Sequence, residues 1–325
     1  MNKILVTGGS GFIGSNLISS LIENSENIVL NIDFNVPQIE IQKSNWLNLD
    51  IRNKADLRMT LEQFNPDVVI HLAAKTDLGG SKIEDYSTNT VGTQNLVEVL
   101  NEIDFKGRAV FASSMYVCQP GYTPKDYYDY KPHTIYGESK VLSEKIIKEK
   151  NPNYIWTIIR PTSIWGPYFG EPYNLFFQIV LSHKYFHMGN KACKKTYGYI
   201  DNFIYQLLSI ISADKNEINK NTFYLGDYQP YDITSWANEI GEYKQIKIPN
   251  IPYFLFQMAG FFGDCLKLVG FKFPMTSFRL RNMTTDNVFD LSEIKKIAPE
   301  LPVTRKDGTK TTVDWMVDNE FNNRK

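Results

Sequence analysis

The sequence predicts an α/β fold, a doubly wound parallel sheet followed by a smaller, mainly helical C-terminal lobe. Three observations carry this expectation. Short apolar runs without polar alternation, typical of strands buried on both faces, recur through the first half. Stretches with apolar residues at helical spacing lie between them, which implies right-handed strand–helix–strand units. Beyond Pro161 the character changes to an aromatic stretch punctuated by Gly166, Pro167, Gly170 and Pro172.

Taken in order, Ile4-Leu5-Val6 is the first strand, glycines follow, and Phe12 to Glu23 is a helix. Ile28 to Ile32 is the second strand, with a short segment around Trp46 and Leu47 before a helix over Lys54 to Phe64. Val68-Val69-Ile70 is a strand, followed by a helix from about Asn89 to Glu102. Ala109 to Ala112 is a strand, Tyr136 to Lys150 a helix, and Ile155 to Ile159 a strand. Thr222 to Leu225 is expected to return to the main sheet. The division expected is a nucleotide-binding domain over 1–165, with that return strand near 222–226, and a substrate lobe over 166–325. The lobe would sit over the carboxyl ends of the strands, where open α/β sheets bind ligands.

A length of 325 residues suits about two domains. Hydrophobic residues make up 42% and charged residues 22%, which excludes a disordered tail, a collagen or a coiled coil. Lys plus Arg number 35 and Asp plus Glu 36, so the basic excess of a dedicated nucleic-acid binder is missing. Cys118, Cys193 and Cys265 are too few and too scattered for a disulfide framework or a metal site. The start of the chain leaves no room for a signal peptide, and a cytoplasmic protein is expected. The most apolar stretch, Ile251 to Phe273, is interrupted by Gln257, Asp264, Lys267 and Lys272, so no membrane span is expected. It reads as one or two helices covering a core, with an apolar face available to a partner or ligand.

Gly8, Gly11 and Gly14 form G-x-x-G-x-x-G between the first strand and its helix, the context a Rossmann-type dinucleotide loop requires. Gly8 allows the tight turn, Gly11 the close approach of a pyrophosphate and Gly14 the packing of helix on strand, while the helix N-terminus attracts phosphate. Asp33 ends the second strand at the spacing of a carboxylate that bonds the adenosine ribose. Phe34, Asn35, Val36 and Pro37 after it provide no cation for a 2′-phosphate, so NAD is favoured over NADP.

Tyr136 and Lys140 stand one helical turn apart on one face. A tyrosine ordinarily titrates near 10, and a nearby ammonium together with a positive nicotinamide ring favours the phenolate a base needs. Such a pair alone is more often a helix-surface feature. Ser113 and Ser114 lie just past the strand ending at Ala112, where a hydroxyl can bond a substrate oxygen as its proton leaves.

Glycine loop, acid, Ser and Tyr-x-x-x-Lys in this order resemble the extended short-chain dehydrogenase/reductase family. Asp50-Ile51 resembles its adenine-contacting segment, His71-Leu72-Ala73-Ala74 its H-x-A-A strand end, and Asn89-x-x-Gly92-Thr93 its N-x-x-G-T helix. Ser113-Ser114-Met115-Tyr116-Val117 resembles its S-S-x-x-V-Y segment, and Arg160-Pro161-Thr162 with Trp165-Gly166-Pro167 its R-P-x-x-x-Y-G-P turn. The matches are dense to about residue 205. The resemblance implies NAD held by Gly8, Gly11, Phe12, Ile13, Asp33, Asp50, Ile51, Leu72, Ala73, Ala74, Tyr136 and Lys140. It implies Ser114, Tyr136 and Lys140 as the catalytic set.

Within the family, sugar 4,6-dehydratases carry T-D-E where this chain has Ser114, Met115 and Tyr116, neither of the last two able to eliminate water. UDP-galactose 4-epimerase and its relatives, with neutral residues there, are nearer. Cys118 stands where the family often has Tyr and is expected to pack. Asn174 resembles the Asn that contacts nucleotide-sugar phosphates, and Arg281, with Arg279, fits the family's arginine clamp on a diphosphate. An ordinary surface arginine is the alternative for each. Thr76 and Asp77 can touch the sugar or cap a helix, and His133 is expected to be structural. His183 and His187 have helix-face spacing without further ligands, so no metal is assigned. Lys194, Lys195, Tyr197, Tyr199 and Asp201 resemble R-x-F-x-Y-V-x-D, with lysine in place of arginine.

The activity expected is NAD-dependent nucleotide-sugar 4-epimerisation through a transient 4-keto sugar, with Tyr136 as base. The alternative is a nucleotide-sugar dehydrogenase or keto-sugar reductase with net cofactor turnover. A steroid-type dehydrogenase and a non-catalytic NAD-binding protein are weaker readings. By the resemblance, helices bearing Leu96, Val99, Leu100, Val141, Leu142 and Ile146 would pair into a four-helix homodimer interface.

Overall fold

In the computed structural model, which describes residues 2–322 apart from 269, 272 and 274, the chain builds a seven-stranded sheet. All of its pairings are parallel. The first part of the chain runs β1 (Asn2–Thr7), α1 (Phe12–Glu23), β2 (Asn27–Asp33), β3 (Trp46–Asn48), α2 (Lys54–Phe64), β4 (Val68–His71), α3 (Thr93–Glu102), β5 (Arg108–Ala112), α4 (Ile135–Lys150) and β6 (Ile155–Pro161). The lobe follows with β7 (Ser163–Trp165), α5 (Leu175–Leu181), β8 (His187–Met188), β9 (Lys194–Lys195), β10 (Tyr197–Tyr199), α6 (Ile200–Ser212) and α7 (Lys215–Ile218). After β11 (Thr222–Leu225) come β12 (Tyr231–Asp232), α8 (Ile233–Glu242), β13 (Asn250–Ile251), α9 (Tyr253–Leu268), α10 (Ser277–Thr284), α11 (Ser292–Ile297) and α12 (Arg305–Asn322).

The strand order β11-β6-β5-β4-β1-β2-β3 reverses direction at β1. The loops leaving β1 and β4 therefore diverge to opposite faces and open a crevice at the carboxyl ends of these strands. Ile4 and Val6 pack with Leu17 and Ile18 of α1 on one face, while Leu5 and Val69 pack with Leu96 and Leu100 of α3 on the other. With both faces covered there is no solvent side to demand polar alternation, which is why the strands read as unbroken apolar runs. The first of these cores continues into the lobe through Trp165, Phe177, Tyr199, Tyr231 and Trp236.

Three features differ from expectation. The helix expected from Asn89 begins with a π-turn over Thr88–Gly92, because Asn89 is committed elsewhere. Its side chain accepts from the Lys75 N–H at 2.8 Å and donates to Ser139 Oγ at 2.9 Å, tying the loop after β4 to α4. The lobe adds three two-stranded ladders, β7–β10, β9–β12 and β8–β13, whose strands are too short to show a sequence period. Leu96, Val99 and Leu100 are wholly buried against the chain's own sheet and offer nothing to a second copy. Leu142 alone of the six expected interface residues is exposed.

Candidate active site

The carboxyl ends of the strands border a cleft of about 420 Å³. At one end, Gly8 has φ +74°, and a Cβ there would lie 2.5 Å from the Ala73 nitrogen, so β1 and the end of β4 approach as only glycine permits. Gly14 is fixed by packing, since a Cβ would lie 2.4 Å from the Gly8 oxygen. Gly11 differs: a Cβ there would meet nothing nearer than the Gly8 oxygen at 3.5 Å, leaving the loop open toward the cleft it lines. A cradle left open at the N-terminus of a helix fits a pyrophosphate.

Asp33 closes this end. Burial raises its carboxyl, and the backbone N–H groups of Asn35 (2.9 Å) and Ser10 (3.0 Å) counter that rise. Asp50 is paired with Arg52, which holds the carboxyl below its ordinary value. All the residues expected at the cofactor, namely Gly8, Gly11, Phe12, Ile13, Asp33, Asp50, Ile51, Leu72, Ala73, Ala74, Tyr136 and Lys140, line the one cleft. The cleft thus brings together the whole set expected at the cofactor, from the glycine loop to Tyr136.

At the other end, Thr134 caps α4 by accepting the Gly137 N–H at 3.0 Å, which places Tyr136 in the first turn. The spacing of four residues then lines up Tyr136, Lys140 and Glu144 along one buried stripe, with the half-buried Lys148 next in line. Lys140 Nζ donates to the Ala112 carbonyl at 2.9 Å, tying α4 to the end of β5, where Ser113 and Ser114 follow. Burial brings the Lys140 ammonium down to about 8. Burial also pushes the Tyr136 phenol well up; Tyr173 adds to this, and the Ser114 hydroxyl opposes it. Below the cleft, His71 bridges Thr7 (2.7 Å) and Thr93 (3.0 Å), and burial holds it neutral, down to about 3.

Of the residues expected at the substrate, Thr76 and Ser114 line the cleft. Asn174 stands at the N-terminus of α5 with its side-chain oxygen buried and unpartnered among the described residues. Its neighbours Tyr173 and Phe176 line the cleft and a second, smaller pocket of about 140 Å³ respectively. Arg281 lies exposed on α10 and lines neither cavity, although Met283 and Thr284 just after it line the smaller one. Lys195 and Tyr197 line that pocket too, joined by Lys191, Tyr185 and Cys193, which carry no motif.

Several expectations are corrected. His183 and His187 share no helix: α5 ends at Leu181, His183 sits in a turn at φ +60°, and His187 is on β8, bonded to Asn238 at 2.8 Å. Asp77 caps no helix; its carboxylate takes the Gly79 N–H at 3.0 Å. His133 stacks on Tyr116 at 5.7 Å, and Cys118 is buried. Among the described residues no cluster suited to a metal ion occurs. Tyr116, read from its motif only as unable to eliminate water, lines the cleft wall, and so do Tyr168 and Tyr173, which went unassigned and are hinted at only by nearness to motif residues.

The family described as "NAD dependent epimerase/dehydratase family" matches residues 4–226. A relative named "Putative UDP-glucose 4-epimerase" from Methanocaldococcus jannaschii is 28% identical over 97% of this chain and 99% of its own. A 3-beta-hydroxysteroid dehydrogenase from Mycolicibacterium neoaurum is 27% identical over 77% of this chain and 72% of its own. The crystal structure of UDP-glucuronic acid 4-epimerase from Bacillus cereus with UDP-glucuronic acid and NAD shares the fold, with a TM-score of 0.74 and 22% identity over 98% of this chain and 99% of that one.

Proposed function

Since the chain belongs to the NAD-dependent epimerase/dehydratase family, an enzyme family of nicotinamide chemistry, we propose that it is a nucleotide-sugar 4-epimerase with Tyr136 as its base. The observation that carries this reading is that Ser114, Tyr136 and Lys140 share one cleft with the glycine loop and Asp33. When bound, NAD supplies reversible hydride acceptance, and its positive ring favours the Tyr136 phenolate. Tyr136 takes the proton of the sugar 4-hydroxyl while Ser114 holds the oxygen. After the 4-keto sugar has turned its other face, Tyr136 returns the proton and the configuration is inverted. Lys140 holds its charge beside this end of the cleft.

Met115 and Tyr116 at the dehydratase acid positions support epimerisation over elimination, and both line the cleft. The smaller pocket suits the nucleotide end of the substrate. Lys191 and Lys195 there provide cations for a diphosphate.

The test is product separation and nicotinamide absorbance for the purified protein with NAD and a panel of nucleotide sugars. A new 4-epimer without net reduction is expected. Reduced cofactor accumulating well beyond the enzyme concentration would replace epimerisation with one-way dehydrogenation.

A further inference from the structure

α9 and α10 leave a row of large apolar side chains exposed. α9 meets the segment entering α10 through small residues: a Cβ at Gly263 would lie 1.8 Å from the Met275 oxygen, and one at Gly260 would lie 3.2 Å from the Ser277 nitrogen. Tyr253, Phe256 and Leu266 are partly buried. Phe254, Leu255, Met258, Phe261 and Phe262 are exposed, with Cys265 one turn further, a spacing that makes a single helical stripe. Phe261 is 70% exposed. Phe273 extends this surface, its ring meeting that of Phe262 edge to face at 5.9 Å, and Phe271 and Phe278 beside it in the chain are also exposed. A contiguous apolar surface of this kind is a contact site, not ordinary scatter.

Charge decides what it contacts. From Lys244 to Arg281 the sequence holds six lysines and arginines against the single acid Asp264, in a chain of net charge −1. Lys244 and Lys247, just before this hairpin, and Lys267 on α9 are exposed. A second copy presenting this face would bring like charge against like charge. Among the described residues no helix is long and apolar enough to cross a bilayer. Apolar stripe, basic rim and a length too short to span are together the pattern of a helix lying in the headgroup region of an anionic lipid surface.

We propose that the α9–α10 hairpin docks the protein on an anionic lipid bilayer, with its phenylalanine face in the acyl boundary and its basic rim on the headgroups. α9 springs from β13, which pairs with β8 at the smaller pocket, and α10 leads back to Thr284 in that pocket's wall. Docking would bring that pocket close to the lipid surface.

The test is co-sedimentation of the full chain with vesicles of phosphatidylcholine alone or mixed with phosphatidylglycerol. The protein should pellet with the mixed vesicles, and raised salt should release it. M258D/F261D should partition at least tenfold more weakly. Wild-type protein remaining in the supernatant with the mixed vesicles overturns the proposal, as does undiminished pelleting of the variant. A wild-type dimer that the variant breaks, without vesicle binding, assigns the face to a second copy and likewise overturns it. Should the variant not fold, an environment-sensitive fluorophore on Cys265 replaces it, Cys118 and Cys193 being buried. A blue shift on mixed vesicles supports docking, and unchanged emission overturns it.

Discussion

Arg160 donates through Nε to Glu144 Oε1 at 2.8 Å, and both side chains are wholly buried. The guanidinium also donates to the Tyr224 hydroxyl at 3.0 Å and the Tyr127 carbonyl at 2.8 Å, so its fork is filled. Removing one partner leaves the other charge buried and unpaired. Arg160→Met is therefore expected to destabilise by about 3–5 kcal/mol. The double variant with Glu144→Leu should recover part of that loss, and denaturant unfolding of the set checks both.

The same pair sets an acid limit. Burial pushes the Glu144 carboxyl up, but the Arg160 bond and charge outweigh it and hold it below its ordinary 4.5. A carboxyl depressed on folding gives stability fully present above its ordinary value and lost as the pH falls through its native one. Thermal unfolding should show this contribution intact above pH 4.5 and fading below.

Asp227 behaves in the opposite sense. Burial brings it up to about 6, against the opposing pull of hydrogen bonds from Tyr231 and Asn202. A carboxyl raised on folding stabilises below its ordinary 3.8 and loses that contribution as the pH rises through about 6. Stability of the wild type relative to Asp227→Asn should fall across this window by roughly 3 kcal/mol, at about 1.4 kcal/mol per unit. Melting curves of both proteins at a series of pH values decide it.

Tyr136→Phe removes the proposed base without opening a cavity. Turnover is expected to fall roughly 10²–10⁴-fold, with NAD binding and melting temperature retained. Equal turnover by variant and wild type would remove Tyr136 from its role.

Asp33→Asn should relax the choice of cofactor. A carboxylate facing a 2′-phosphate costs several kcal/mol, so the preference for NAD over NADP should narrow by roughly two orders of magnitude. Dissociation constants of the two cofactors, measured by titration, test this.

The sheet and the cofactor end were legible because their constraints are local. Gly8 and Gly14 announce backbone approaches that no other residue allows, and Tyr136 and Lys140 are fixed by helical period alone. What escaped reading depends on long-range pairing. The stripe of Leu96, Val99 and Leu100 looks the same whether it meets the chain's own sheet or a second copy, and only the tertiary fold decides. Lys191 and Cys193 reach the smaller pocket because β9 pairs with β12, a contact two residues long with no signature. The close approach of α9 to the segment entering α10, through Gly260 and Gly263, likewise leaves no sequence period.

The pairing of β11 with β6 carries a consequence for synthesis on the ribosome. Thr222–Leu225 pairs with Ile158–Pro161 to complete the sheet's edge, more than sixty residues after β6 has been made. Until then β6 presents an open row of backbone donors and acceptors, while α5 and α6 have already emerged. A nascent chain stalled shortly after Trp165 would carry this unprotected edge, the kind of surface that chaperones shield and that recruits foreign strands. Release of the cofactor half as a finished unit must therefore wait for much of the lobe to be translated.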